Sequence, residues 1–141
     1  MIGLFGMGTL LGTLPERVSL YPQAVRDALK RNIAHYRQYR HLLYEDVYHL
    51  LPPSTGPGEW DAIEFCARDG AEAVVLVFRD TSPQPAQTLA LRGLTSGATY
   101  TVASLNTGRA ESCAAEALTT KGLSVALPKP DTSEIYLLKR G

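Results

Sequence analysis

The chain has 141 residues, 14 basic and 14 acidic side chains, 45% hydrophobic residues and two cysteines. This length suits one domain with an appendage, and a core that needs no covalent staples. Two cysteines fall far below the density of a disulfide scaffold. The charges cancel and form no long block of either sign, which argues against a phosphate-tracking nucleic-acid surface.

Residues 1–14, MIGLFGMGTLLGTL, carry no charge. No basic residue precedes the apolar run, and Gly3, Gly6, Gly8 and Gly12 interrupt it, so a secretory signal is a poor reading. The stretch is also too short and broken to cross a bilayer as a helix. Glycine-spaced apolar residues fit a buried strand entering a tight loop, and a chain of this size offers that strand no obvious place. Leu14-Pro15-Glu16-Arg17 reads as a turn.

A helix is predicted from about Tyr21 to Leu43, with Ser19 or Tyr21 as its cap and Pro22 in its first turn. Val25, Leu29, Ile33 or Asn32, Tyr36, and then Tyr39, Arg40 and Leu43 follow at helical spacing as an apolar stripe. Arg26, Asp27, Lys30, Arg31, Arg37 and His41 occupy the other face. The stripe is too apolar to stand alone, which makes residues 1–43 a candidate homodimer surface.

Near residue 45 the period changes from helical to alternating. Val47–Leu51 reads as a short strand stopped by Pro52-Pro53, and PPSTGPG as a loop. Trp60–Ala67 and Ala73–Arg79 read as strands joined by a hairpin at Arg68-Asp69-Gly70. The second is apolar on both faces, as in the centre of a covered sheet. Leu89–Leu91, Thr99–Ala103, Ala115–Thr119, Leu123–Leu127 and Glu134–Leu138 supply five more. Short strands punctuated by turn residues indicate a mainly β chain: an antiparallel Greek-key β-sandwich preceded by one long N-terminal α-helix.

Candidate sites are few. Tyr100 follows Leu94 by six residues across a Gly-containing turn. This matches a tyrosine corner, in which the ring packs inside and the hydroxyl bonds upstream backbone. Trp60 is a candidate carbohydrate contact, since a flat ring suits the apolar face of a pyranose, but an inward packing anchor is the simpler reading. Tyr36, Tyr39, Tyr44 and Tyr48 fit packing between helix and sandwich better than a binding strip. His35, His41 and His49 lack metal-ligand spacing, and no cofactor fingerprint is present. Glu45/Asp46 and Asp61/Glu64 are close in sequence but read as surface charges rather than as the paired carboxylates of glycoside hydrolysis. Cys66 and Cys113 read as reduced core thiols, with a bond between them as the alternative.

Taken in order, GLFGMG…LLGTLPE, IAHYRQYRHLL, DVYHLLPP, WDAIEFCARDGAEAVVLVFR, LRGLTSGATYTV and KGLSVALPKPDTSEIYLLKR resemble the C-terminal region of glycoside hydrolase family 36, of the α-galactosidase type. The resemblance implies that residues 1–45 are the remnant of the last strand and helix of a (β/α)8 barrel, and that 46–141 form the C-terminal sandwich. It implies a non-catalytic chain, because the family's two aspartates lie in barrel segments that match nothing here. The implied partners are the catalytic barrel of a parent protein and galactose-containing carbohydrate, with no cofactor, metal, nucleic acid or membrane. The implied location is the cytoplasm of a bacterial-type cell. A free-standing carbohydrate-binding module and a fibronectin type III-like interaction domain are the alternatives.

Overall fold

The computed structural model describes residues 19–53 and 55–141. The chain divides into two compact units, Met1–His41 and Leu42–Gly141. Readings of the first fourteen residues, of the Leu14–Arg17 turn and of the start of a dimer surface lie outside the described residues.

In the first unit, helix α1 spans Gln23–Tyr39. Pro22 is its N-cap rather than a first-turn residue, and its carbonyl accepts from the Val25 and Arg26 amides at 3.0 and 3.2 Å. The helix stops at Tyr39, and Arg40–Tyr44 tightens into a 3-10 turn. Tyr36 and Tyr39 meet edge to face, with centroids 5.8 Å apart. Leu20, Val25 and Ile33 stay exposed, so the amphipathic stripe keeps apolar surface in water.

The described residues of the second unit form eight strands: β1 (Asp46–His49), β2 (Trp60–Cys66), β3 (Glu72–Arg79), β4 (Ala86–Leu89), β5 (Thr99–Ser104), β6 (Ala110–Ala114), β7 (Leu123–Ala126) and β8 (Thr132–Arg140). Six form one sheet in the order β1-β2-β3-β8-β5-β6, and β4 pairs with β7 in a second. Every pairing is antiparallel. The expected sandwich is therefore present, after a long N-terminal helix. Chain order and spatial order part at β8, the last strand, which inserts between β3 and β5.

The core lies between the sheets. Alternation along β2, β3 and β8 sends Trp60, Ala62, Cys66, Ala73, Val75, Val77 and Leu138 inward, against Leu89, Leu123 and Val125 of the small sheet. Val74, Leu76, Ile135 and Leu137 are buried on the other face, so β3 and β8 are apolar on both.

One predicted strand is corrected. Ala115–Thr120 is a short helix, α2, and the strand in this region is Ala110–Ala114. Ala115, Glu116, Ala117 and Leu118 are good helix formers. The Lys121 and Gly122 amides both return to the Ala117 carbonyl at 2.9 Å and close the turn. The predicted strand at Leu89–Leu91 also lies earlier, at Ala86–Leu89.

Two glycines have a spatial reason. Gly70 turns the β2–β3 hairpin at φ 64°, where an L side chain is strained. Gly93 lies against Cys66: a Cβ there would stand 2.4 Å from the Cys66 Cβ and 2.6 Å from its Sγ. Gly93→Ala should therefore lower stability by about 1–3 kcal/mol. Urea unfolding followed by tryptophan fluorescence checks this, and an unchanged midpoint would contradict the contact.

Candidate functional site

The chemistry of the second unit is concentrated where the chain crosses between sheets. After β4 it must return from the small sheet to β5, and Leu91–Thr95 makes that passage without strand pairing. Buried main-chain groups need partners wherever they lie, and side chains supply most of them here.

Glu64, in the middle of β2, is fully buried. Its Oε2 accepts from the Arg92 amide at 2.7 Å and its Oε1 from the Gly93 amide at 3.1 Å. Two residues along the same face, the Cys66 thiol donates to the Gly93 carbonyl at 2.9 Å. Tyr100, also fully buried, accepts from the Thr95 amide at 2.9 Å and donates to the Gly70 carbonyl at 2.5 Å. The Leu91 amide reaches the Leu118 carbonyl of α2 at 3.1 Å.

Reading Asp61/Glu64 as surface charges fails for Glu64. Its inward position was signalled by parity, because Trp60, Ala62, Glu64 and Cys66 share one face of the strand. Both carboxylate oxygens are occupied by backbone amides, so the group is a brace rather than an acid–base catalyst.

The passage from β3 to β4 uses a cation. Arg79 is 7% exposed and donates through Nε to the Ser82 carbonyl at 3.0 Å, through one terminal nitrogen to the same oxygen at 2.5 Å, and through the other to the Leu127 carbonyl. Nothing in the local sequence marks Arg79, because its acceptors come from the β3–β4 loop and from Leu127, the residue after β7.

Trp60 is 7% exposed and its indole N–H donates to the Gln84 carbonyl at 3.1 Å. Trp60 belongs to the buried core cluster, and it also lines a shallow groove of about 500 Å³ with Leu51, Pro52, Pro83 and Gln87.

A second groove, of about 540 Å³, lies where the inner face of β8, β5 and β6 runs past β7. Glu111, Glu134, Tyr136 and Arg109 line it. Sequence reading did not single these residues out.

Cys66 and Cys113 are both free thiols. Burial, with smaller contributions from Glu64, Asp46 and Asp69, pushes the Cys66 thiol up to about 12, so it is an inert hydrogen-bond donor. Among the described residues no group of three or more His, Cys, Asp or Glu could hold a metal ion. No described helix is long and apolar enough to cross a membrane.

The comparisons fit this architecture. The sequence profile of the glycosyl hydrolase family 36 C-terminal domain matches residues 60–138, more than half of the chain and nearly all of its sandwich. This chain belongs to that family. Among solved structures, α-galactosidase AgaA from Geobacillus stearothermophilus is 26% identical, with a TM-score of 0.73 over 86% of this chain and 16% of that one. The galactosidase domain of α-galactosidase-sucrose kinase AgaSK (20% identity, TM-score 0.72) aligns over 87% of this chain and 17% of its own. The α-galactosidase from Lactobacillus brevis (15%, 0.72) shares the fold over 88% of this chain and 18% of its own. The chain thus spans about one-sixth of the length of the solved chains it matches. A comparison with curated protein sequences gives no match.

Burial holds the Glu64 carboxyl above its ordinary value of 4.5, and the Arg92 and Gly93 amides draw it partly back. A raised folded value means that the folded chain keeps a proton the unfolded chain has released. The contribution to stability is full below 4.5 and is lost as pH rises through the folded value. Glu64→Leu should remove that pH-dependent fall and cost about 1–3 kcal/mol for each of the two stranded amides. Urea midpoints of both proteins across the acid-to-neutral range check this; parallel pH profiles would contradict it.

Proposed function

We propose that this chain is the non-catalytic C-terminal sandwich of an α-galactosidase-type glycoside hydrolase, and that it supports a catalytic (β/α)8 barrel. The observation that carries this reading is the place of the family match, residues 60–138, which are sandwich from end to end. The disposition of the buried charges supports it: Glu64 and Arg79 bond the chain's own backbone, as members of a scaffold do. Exposed Leu20, Val25 and Ile33 on and beside α1 offer apolar surface that a barrel neighbour would cover.

In this reading residues 1–45 are the barrel's last strand and helix, and Trp60 and Tyr100 are structural, the latter as a tyrosine corner. Substrate chemistry belongs to the barrel. Variants of AgaA have been solved with raffinose and with stachyose, so galactose-containing oligosaccharides are the substrate class we assign to the parent protein. A cytoplasmic location goes with that assignment.

The test is turnover by the purified chain. Incubated with p-nitrophenyl α-galactoside, it should release no nitrophenol above the buffer blank. Release that scales with protein concentration would overturn the non-catalytic reading.

A further inference from the structure

The large sheet has six strands and the small one only two, so the inner face of β5, β6 and β8 is covered only as far as β7. Beyond that edge the inward positions change character. In the centre of the sheet they hold Val75, Val77 and Leu138, and here they hold Ser104, Glu111 and Glu134. The result is the groove of about 540 Å³.

Glu134 is the distinctive group in it. Its side chain is 7% exposed, and one oxygen, Oε1, accepts from both the Asn106 amide at 3.2 Å and the Ile135 amide at 2.8 Å. Oε2 takes no hydrogen bond from the described residues, and the side chain lines the groove. A buried carboxylate with one oxygen fixed and the other open is a preorganised acceptor. Tyr136 lies beside it, and its hydroxyl likewise bonds none of the described residues. Burial, then Glu134 and Glu111, push that hydroxyl up to about 12, so it remains a donor. Arg109, a positively charged residue, lines the same groove.

The open edge of β7 completes the set. The Leu127 amide points to Pro85 at 2.8 Å on the β4 side, so alternation turns the main-chain groups of Ser124 and Ala126 the other way, where both residues line the groove.

We propose that this groove binds a neutral saccharide, with Glu134 and Tyr136 holding neighbouring hydroxyl groups over the Tyr136 and Val102 surface. Dense donors and acceptors beside an aromatic ring suit a polyol. Two carboxylates disfavour an anion, and the Arg109 guanidinium disfavours a simple cation. A four-residue edge with two outward-facing residues is a short template for an added peptide strand. This site is independent of the scaffold role: binding is read without turnover, so either can fail alone.

The experiment is a ¹H–¹⁵N NMR titration of the full chain with raffinose, a neutral trisaccharide, and separately with cadaverine, a diamine. Raffinose should shift the Asn106, Ile135 and Ser124 amides saturably and leave Trp60 unmoved. Glu134→Gln, which replaces the open acceptor by a donor, should weaken binding roughly 10- to 100-fold. If that variant loses its dispersed spectrum, Tyr136→Phe decides, because it keeps the ring and should weaken binding roughly 3- to 10-fold. Three results would overturn the proposal: no saturable shift with raffinose, shifts confined to the Trp60 groove, or tighter binding of cadaverine at the same amides.

Discussion

The sandwich depends on a buried carboxylate. Two sheets of unequal size can share a core only if the chain passes between them, and Leu91–Thr95 does so without a strand beside it. Its polar backbone would be stranded inside the protein were Glu64 not there to accept from Arg92 and Gly93 at once. Removing a carboxylate from water costs several kcal/mol even after relaxation. The cost is tolerable where charge-assisted bonds satisfy both oxygens. Cys66 and Tyr100 complete the seam, on the Gly93 carbonyl and the Thr95 amide. Gly93 has no side chain because strand β2 stands where one would go.

Arg79 gives the other passage the complementary solution. Its guanidinium collects carbonyls from Ser82 in the β3–β4 loop and from Leu127, the residue after β7, so one cation joins β3 to the connections that flank the small sheet. The two braces have opposite charge and do the same work: a side chain on a regular strand satisfies irregular backbone that no ladder reaches. Both charged groups are thus bonded to the chain's own backbone. Glu134 differs, because only one of its oxygens is held.

Much of this was legible in the sequence. The period change near residue 45 falls at the start of β1, and the alternation of Trp60–Cys66 marks β2 and its inward face. The same alternation placed Glu64 inside, but a carboxylate beside Asp61 reads as surface until its partners are known, and those partners are 28 and 29 residues away. The partner of the Tyr100 hydroxyl, the Gly70 carbonyl, could not be read from the sequence, since only the fold brings a hairpin turn to it. The strand reading of Ala115–Thr119 fails because short apolar runs fit either period; Gly122 and the Ala-Glu-Ala-Leu run are the available signals for helix. The groove at Glu134 was beyond reach for a topological reason. It exists because the last strand inserts between β3 and β5, and no local pattern encodes that insertion.

Amide hydrogen exchange at Arg92 and Gly93 tests the carboxylate brace most directly. Both amides lie in an irregular segment, where exchange is ordinarily fast. Held by Glu64, they should exchange only through global unfolding, with the same protection as the centre of β3. Loop-like exchange at both amides, in a chain whose β3 remains protected, would show that the passage is held by something other than Glu64.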